Sequence, residues 1–382
     1  MRKLASIQKI ISLTPIPNAD RIELARVLGW KCVVKKGEFK VGDKCVYIEI
    51  DSIPPSDNPV FDFLKHSNGK MGRIKTIKLR GQISQGLAMP LRMFPALGKC
   101  HVGDDVTKKL GVTKWEPDER NKVKIEQSPL YMRRFHNRHL KWLYDKPWCN
   151  LFGKWLYVKR RAKFPSFLNK TDETRVQVLG DVLEKYKGVE CYVTEKIDGQ
   201  SITIWFDGGG KMHVASRNYE ILDHDDYMWK AVEAENIEKR IRTLYMDSKP
   251  RYLFLQGELT GPGIQGNKYK RTRYAIDIFN VGSYENGRIE YYGLDTLDYC
   301  QIEVGLHIVP VLLTGYELES DIDKIVEMSK GESVIKPQLH IPREGIVIRP
   351  VKTIYDNRIK GMVGNRISFK AINPDFLLKY DC

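Results

Sequence analysis

Short apolar runs broken by turn residues dominate the first hundred positions. Arg26-Val27-Leu28 runs into Gly29, then comes Cys32-Val33-Val34, and Cys45-Val46-Tyr47-Ile48-Glu49-Ile50 stands after the Gly42-Asp43 turn. Runs of this length between turn signals read as strands, and a further hairpin is expected across 72–79 and 86–89. Strands at this spacing predict a small barrel over residues 1–111. From 164 to 382 the texture changes. Strands at 190–194, 201–206, 252–257 and 345–349 alternate with expected helices at 174–187 and 225–245, an α+β pattern of mostly antiparallel sheets.

Between these units lies a connector, residues 112–163, of different character. Arg133, Arg134, Arg138 and Lys141 typify its charge, and Trp142, Tyr144, Trp148, Trp155 and Tyr157 are interleaved with the cations. Cations for phosphate and rings for stacking suit a nucleic-acid surface. The same aromatics would equally well pack the connector onto its neighbours.

Charge sharpens the picture. The 382 residues, enough for two or three domains, carry 63 Lys and Arg against 48 Asp and Glu, a formal net charge of +15. An unevenly spread excess of this size attracts polyanions through counterion release, so nucleic acid is the leading partner class and a membrane surface the second. No run of about eighteen apolar residues is present, so no transmembrane helix is expected. The N-terminus lacks the apolar core of a signal peptide. The seven cysteines are scattered without a Cys-x-x-Cys pair, which suits reduced thiols in an intracellular, cytoplasmic protein and neither a disulfide framework nor a zinc site.

The chemistry centres on Glu195-Lys196-Ile197-Asp198-Gly199, set between two expected strands. Lys-x-Asp-Gly alone is a weak pattern, since a lysine in a turn is usually only solvated. Its weight comes from an ordered set of downstream motifs: Ser216-Arg217-Asn218, Gly257-Glu258-Leu259, Glu344-Gly345-Ile346-Val347-Ile348-Arg349 and Ser368-Phe369-Lys370. An amine that attacks phosphorus must lose its proton, and nearby cations or a bound metal would lower its pKa. A triphosphate needs its charge neutralised. Asp198, Glu258 and Glu344 can hold hydrated Mg²⁺, directly or through its waters. Lys370 and Arg217 can reach phosphate oxygens.

This ordered set resembles the covalent nucleotidyltransferase superfamily of ATP-dependent DNA ligases, RNA ligases and mRNA capping enzymes, with five parts of its six-part signature matched. The nearest resemblance is to the RNA ligases of family five. These join an N-terminal OB-fold module to an ATP-grasp-like nucleotidyltransferase domain with antiparallel sheets flanked by helices. Phe164-Pro165-Ser166-Phe167 and the segment from Lys170 to Gln177 are similar to the lead into the catalytic lysine there. Ile16-Pro17-Asn18-Ala19-Asp20-Arg21-Ile22-Glu23 and Phe39-Lys40-Val41-Gly42-Asp43 look like the OB module.

The resemblance implies that Lys196 forms a lysyl-AMP with ATP and that Glu195 contacts the adenine through its main chain or side chain. It implies that Asp198, Glu258 and Glu344 orient hydrated Mg²⁺ or Mn²⁺, with Arg217 and Glu258 near the ribose and phosphate and Lys370 on the α-phosphate. Gly199 and Ser201 fall among the nucleotide-binding residues. Two positions depart from the family pattern. Ser368 stands where many relatives have a second lysine, and Ile276 stands where an aromatic stacks on adenine, leaving Tyr274 or Phe279 to compensate or Ile276 to form an apolar wall.

The implied substrate is RNA or a nicked RNA/DNA duplex, handled by a monomer away from membranes. Lys370 stands twelve residues before the end of the given sequence, too few for the C-terminal OB domain of DNA ligases and capping enzymes, which favours an RNA ligase. A DNA ligase, a GTP-using capping enzyme and an inactive nucleic-acid-binding relative remain the alternatives. Lys75, Lys78 and Arg80 lie on one expected strand and its end, where contact with a duplex and plain solvent exposure are both open.

Overall fold

A computed structural model describes residues 3–115, 161–248, 250–357 and 362–380. The N-terminal unit is built on the long strand Ala5–Pro15, which serves two partners. Its first half pairs antiparallel with Lys44–Ile48 and its second half with Ile22–Val27, the switch falling at an irregularity between Ile10 and Ser12. A bulge of this kind bends a strand so that it turns a barrel corner. The five-stranded sheet runs Trp30–Lys35, Ile22–Val27, Ala5–Pro15, Lys44–Ile48, Leu87–Pro90, and Trp30, Tyr47, Ile7, Ile10 and Ile48 fill its interior. This is the barrel that the strand spacing predicts.

The C-terminal unit holds two sheets. A seven-stranded antiparallel sheet has Gln200–Phe206 and Tyr252–Thr260 at its centre, and a five-stranded sheet has Glu190–Lys196 and Gly345–Pro350 side by side. Helices Tyr227–Ala234, Ile237–Ser248 and Leu294–Ile302 belong to the first sheet's side of the domain, and Ile322–Met328 to the second's. The α+β class holds, and no described helix is long and apolar enough to cross a membrane. Cys32, Cys45, Cys100, Cys191 and Cys300 are free and buried.

Several expected elements come out differently. The hairpin placed at 72–79 with 86–89 instead joins Thr76–Leu79 to Gln82–Gln85, while Leu87–Pro90 turns back to pair with Lys44–Ile48. The helix expected at 174–187 is a short parallel strand, Thr174–Arg175, then a single 3₁₀ turn, and only Gly180–Lys185 is α-helical. Pairing with Phe369–Lys370 outweighs the weak helix preference of Thr174, Val176 and Val178. The helix expected at 225–245 is two, broken where Asn236 adopts φ +51°. Of the connector 112–163, residues 116–160 lie outside the described residues. Its ends are built into the flanking units: Thr113–Lys114 pairs with Ser52–Ile53, and Arg161–Lys163 pairs with Tyr219–Ile221.

The two units are knitted together. Ile372 and Leu377, near the C-terminus, belong to the same apolar cluster as the barrel core. Asp51 of the barrel bonds both Arg73 at 2.8 Å and Arg175 at 2.9 Å. Gly29 donates its amide to the Gln177 carbonyl at 2.8 Å, and Asp323 pairs with Arg26 and Lys31 at 3.0 and 3.2 Å.

Candidate active site

Lys196 closes the strand Glu190–Lys196 opposite Gly345 in the antiparallel pair. The residue before Gly345 is Glu344, and its Oε2 accepts a hydrogen bond from Lys196 Nζ at 2.7 Å. Gly345 lets the strand Phe369–Ile372, which carries Lys370, pack close on its other side, since a Cβ there would stand 2.2 Å from the Ala371 carbonyl oxygen. Gly199 plays the matching part after the lysine: a Cβ would meet the Leu259 carbonyl oxygen at 2.5 Å and Glu258 Cγ at 2.9 Å. Its amide instead donates to Glu258 Oε1 at 3.1 Å. The glycine of Lys-x-Asp-Gly is therefore what lets Glu258 sit against the lysine turn. Asp198 is held by the Lys268 ammonium, and its amide donates to the Tyr269 hydroxyl oxygen at 3.0 Å.

Three carboxylates thus surround one lysine, with physical consequences for each group. Burial opposes the charge on Lys196, but Glu344, Glu258 and Asp198 overcome it and hold the ammonium above the ordinary lysine range. Burial pushes Glu258 up to about 8, with Lys196 pulling the other way and Glu344 and Asp198 adding repulsion. The site carries more negative charge than Lys196 can neutralise alone.

Farther along the sheet that carries Lys196 the charge has the opposite sign. Lys370 pairs across strands with Val347 and runs parallel to Arg175. Burial pulls Lys370 down to about 8, against the attraction of Asp172, while Arg175 and Lys196 repel it. Asp172 binds Lys370 at 3.2 Å, Arg217 at 2.8 Å and Lys114 at 3.8 Å. Burial disfavours its charge, yet those cations hold the carboxyl well below the usual range. From the barrel come Arg73 and Trp115, the guanidinium 3.7 Å from the ring centroid. All these groups line one cavity of about 600 Å³ shared by the two units. A site with acids around an amine and a cation array beside them is suited to nucleotidyl transfer from a triphosphate.

Lys196, Asp198, Gly199, Ser201, Arg217, Glu258, Glu344 and Lys370 come together on this cavity, and so does Glu195. Glu195 is buried, with Oε2 accepting from the Val334 amide at 2.9 Å, and burial raises its carboxyl. Ser201 shares a 2.7 Å hydrogen bond with Thr171. Ile276 does not join them. It pairs with Leu259 on the strand face opposite Glu258 and packs into the main apolar core, because alternate residues of a strand face opposite sides. Phe279 and Tyr274 line the cavity instead. Ser368 is buried, its hydroxyl accepting from Arg349 Nε at 3.0 Å. The cation beside Lys370 is Arg175, supplied by the neighbouring strand.

The expectation that Asp198, Glu258 and Glu344 form a metal site is modified. Among the described residues no three acids or histidines are spaced to hold a metal ion together, and Asp198 is engaged by Lys268. The donor set fits a hydrated divalent cation, since hard carboxylate oxygens in excess are what its waters bond. The residues not foreseen are Asp51, Arg73, Trp115, Asp172, Arg175 and Lys268. Asp172 and Arg175 stand in the segment leading into the lysine, but only tertiary pairing reveals their place.

A family model for RNA ligases matches residues 189–372, and one for an OB-fold domain matches residues 4–91. Among solved structures, the chain is similar to Naegleria gruberi RNA ligase. A lysine-to-alanine variant of that enzyme with ATP and manganese is 31% identical at a TM-score of 0.78, with 99% of each chain covered. A complex with AMP and manganese and one with pyrophosphate are each 31% identical at 0.78, covering 100% of this chain and 99% of theirs. No curated protein sequence matches the chain.

Proposed function

Since the chain belongs to the RNA ligase family, we propose that it is ATP-dependent and seals nicks between a 3′-hydroxyl and a 5′-phosphate in duplexes with RNA on the 3′-hydroxyl side. The observation that carries the reading is Lys196 on the cavity, 2.7 Å from Glu344, with Lys370 and Arg175 lining the same cavity from the same sheet. Its Nζ attacks the α-phosphorus of ATP, forming a P–N bond as the bond to pyrophosphate breaks and the amine gives up its proton. The AMP then passes to the 5′-phosphate, regenerating Lys196 and leaving a 5′–5′ pyrophosphate-linked end. The 3′-hydroxyl attacks that end, and AMP departs.

Each group has a part. Lys370 and Arg175 offset charge on the phosphates, and Phe279 and Tyr274 supply apolar surface for the base. Asp198, Glu258 and Glu344 would orient hydrated Mg²⁺ or Mn²⁺. When bound, a divalent cation would draw charge from the α-phosphate and relax the carboxylates' hold on the Lys196 proton. Glu344 keeps the nucleophile aimed until then.

Incubation with radiolabelled ATP and Mg²⁺ tests the first step. A covalent label that disappears in Lys196→Ala is expected; labelling that survives this change, or comes from GTP instead, rejects it. Sealing assays on nicked duplexes with RNA or DNA at the 3′-hydroxyl test the substrate. Equal sealing of both sinks the RNA preference.

A further inference from the structure

Between Phe63 and Gly103 the chain carries eight lysines and arginines and no aspartate or glutamate. Lys65 pairs with Asp62 and Arg73 with Asp51; among the described residues the other six form no ion pair. Three of these six, Lys75, Lys78 and Arg80, lie on the hairpin Thr76–Gln85 or its base.

The inner half of that hairpin is anchored. Gln85 Nε2 donates to Thr76 Oγ1 at 3.3 Å, Tyr47 donates its hydroxyl to the Gln85 carbonyl at 3.0 Å, and Ser84 Oγ accepts from the Val33 amide at 2.9 Å. The outer half is bare. Ile77 and Leu79 are 46% and 39% exposed on one face of the ribbon, Lys78 is exposed on the other, and Arg80 is exposed at the turn. The two-residue turn is Arg80-Gly81, with φ +46° and +80°. Turns of this shape favour Asn or Gly at their first central position. A long cation is held there in a conformation L side chains rarely adopt, and such outliers cluster where function needs them. Strand Thr76–Leu79 packs on helix Pro374–Tyr380, whose Phe376, Leu377 and Tyr380 line the cavity. The hairpin is therefore separated from the active-site cavity by this one helix.

We propose that the hairpin Thr76–Gln85 is a clamp on the sugar–phosphate backbone of the nicked duplex, next to the strand ends being joined. Lys75, Lys78 and Arg80 take phosphates, and Ile77 and Leu79 rest on riboses exposed in the wide, shallow minor groove of an A-form duplex. The occupant is nucleic acid because the hairpin itself carries cations and no acid, which complements phosphate. This inference rests on the reading that a nicked duplex is the substrate.

The test uses the full chain with Lys78→Ala/Arg80→Ala and, separately, Ile77→Ser/Leu79→Ser. Lysyl-AMP formation from radiolabelled ATP should stay within twofold of wild type in both, which also reports that they fold. Pre-adenylylated enzyme is then titrated onto a fluorescent nicked duplex between 50 and 200 mM salt, concentrations in the range where phosphate contacts are read. The cation variant should bind at least about tenfold more weakly, with the log–log salt slope reduced by about 2, or 0.9 per phosphate released. The apolar variant should weaken binding with the slope unchanged. Wild-type affinity and slope in both variants would overturn the clamp. Wild-type enzyme that fails to bind the nicked duplex would overturn the substrate reading, and the clamp with it.

Discussion

Replacing Gly199 by alanine isolates the contact that seats Glu258 against the lysine turn. The added methyl would lie 2.5 Å from the Leu259 carbonyl oxygen, 2.9 Å from Glu258 Cγ and 2.9 Å from Thr260 Cγ2. An ordinary contact needs roughly 3.4 Å or more, so the strand Tyr252–Thr260 or the lysine turn must yield by nearly an ångström. Backbone shifts of this kind cost about 1–3 kcal/mol, which a two-unit core tolerates. The larger consequence is chemical, because the same displacement stretches the Gly199 amide bond to Glu258 Oε1. A reacting group misplaced by about 1 Å loses on the order of 10²-fold in rate, equivalent to about 2.7 kcal/mol. Single-turnover adenylylation with radiolabelled ATP, alongside thermal melting, measures both. Gly180→Ala is the control, as its Cβ would meet nothing within 4 Å. A Gly199→Ala enzyme that melts lower yet adenylylates within threefold of wild type would refute the argument that this close approach positions the acid.

Glu258→Gln should raise the stability of the ATP-free protein at alkaline pH while abolishing adenylylation. A carboxyl lifted to about 8 from an unfolded value near 4.5 contributes stability fully below 4.5 and loses it as pH rises to 8. The variant's melting advantage should therefore grow across that window and level off above it; a constant or shrinking advantage contradicts the assignment. Glu173 is shared by the buried guanidiniums of Arg349 at 3.2 Å and Arg366 at 3.4 Å. Glu173→Gln leaves both without their counter-charge and should destabilise by about 3–5 kcal/mol in urea titration, whereas a loss under about 1 kcal/mol would show that the arginines find other partners. Ile276→Val should lower stability by about 0.5–1.5 kcal/mol with the KM for ATP unchanged. Phe279→Ala should raise that KM severalfold, and the reverse pattern would return Ile276 to the nucleotide site.

How far each residue of this site can be read from sequence depends on how the chain delivers it. Lys196, Gly199, Glu258 and Glu344 stand out because a charged or minimal residue sits within or at the edge of an apolar strand, a local signal. Ile276 shows the limit of the same reasoning: its neighbourhood is legible, but a strand's alternation sends it to the core, and Phe279, three residues on at the irregularity in the pairing with Tyr252–Thr260, lines the cavity. Asp51, Arg73 and Trp115 belong to another unit altogether, and no local pattern connects them to Lys370. The 174–187 segment misleads for a related reason. Its apolar spacing suits a helix, but Thr174 and Arg175 are claimed by a partner strand almost two hundred residues away.

The placement of Ile372 and Leu377 within the barrel core has a consequence for synthesis of the chain. The barrel's own strands are complete by Lys114, but two residues of its apolar cluster emerge from the ribosome about 260 residues later. At ~5–20 residues per second that is a delay of roughly 13–50 s, during which the apolar surface they will cover faces solvent. The first unit to be made is thus among the last to be finished, and a nascent chain stalled anywhere in between presents a barrel with an open seam for a chaperone to cover.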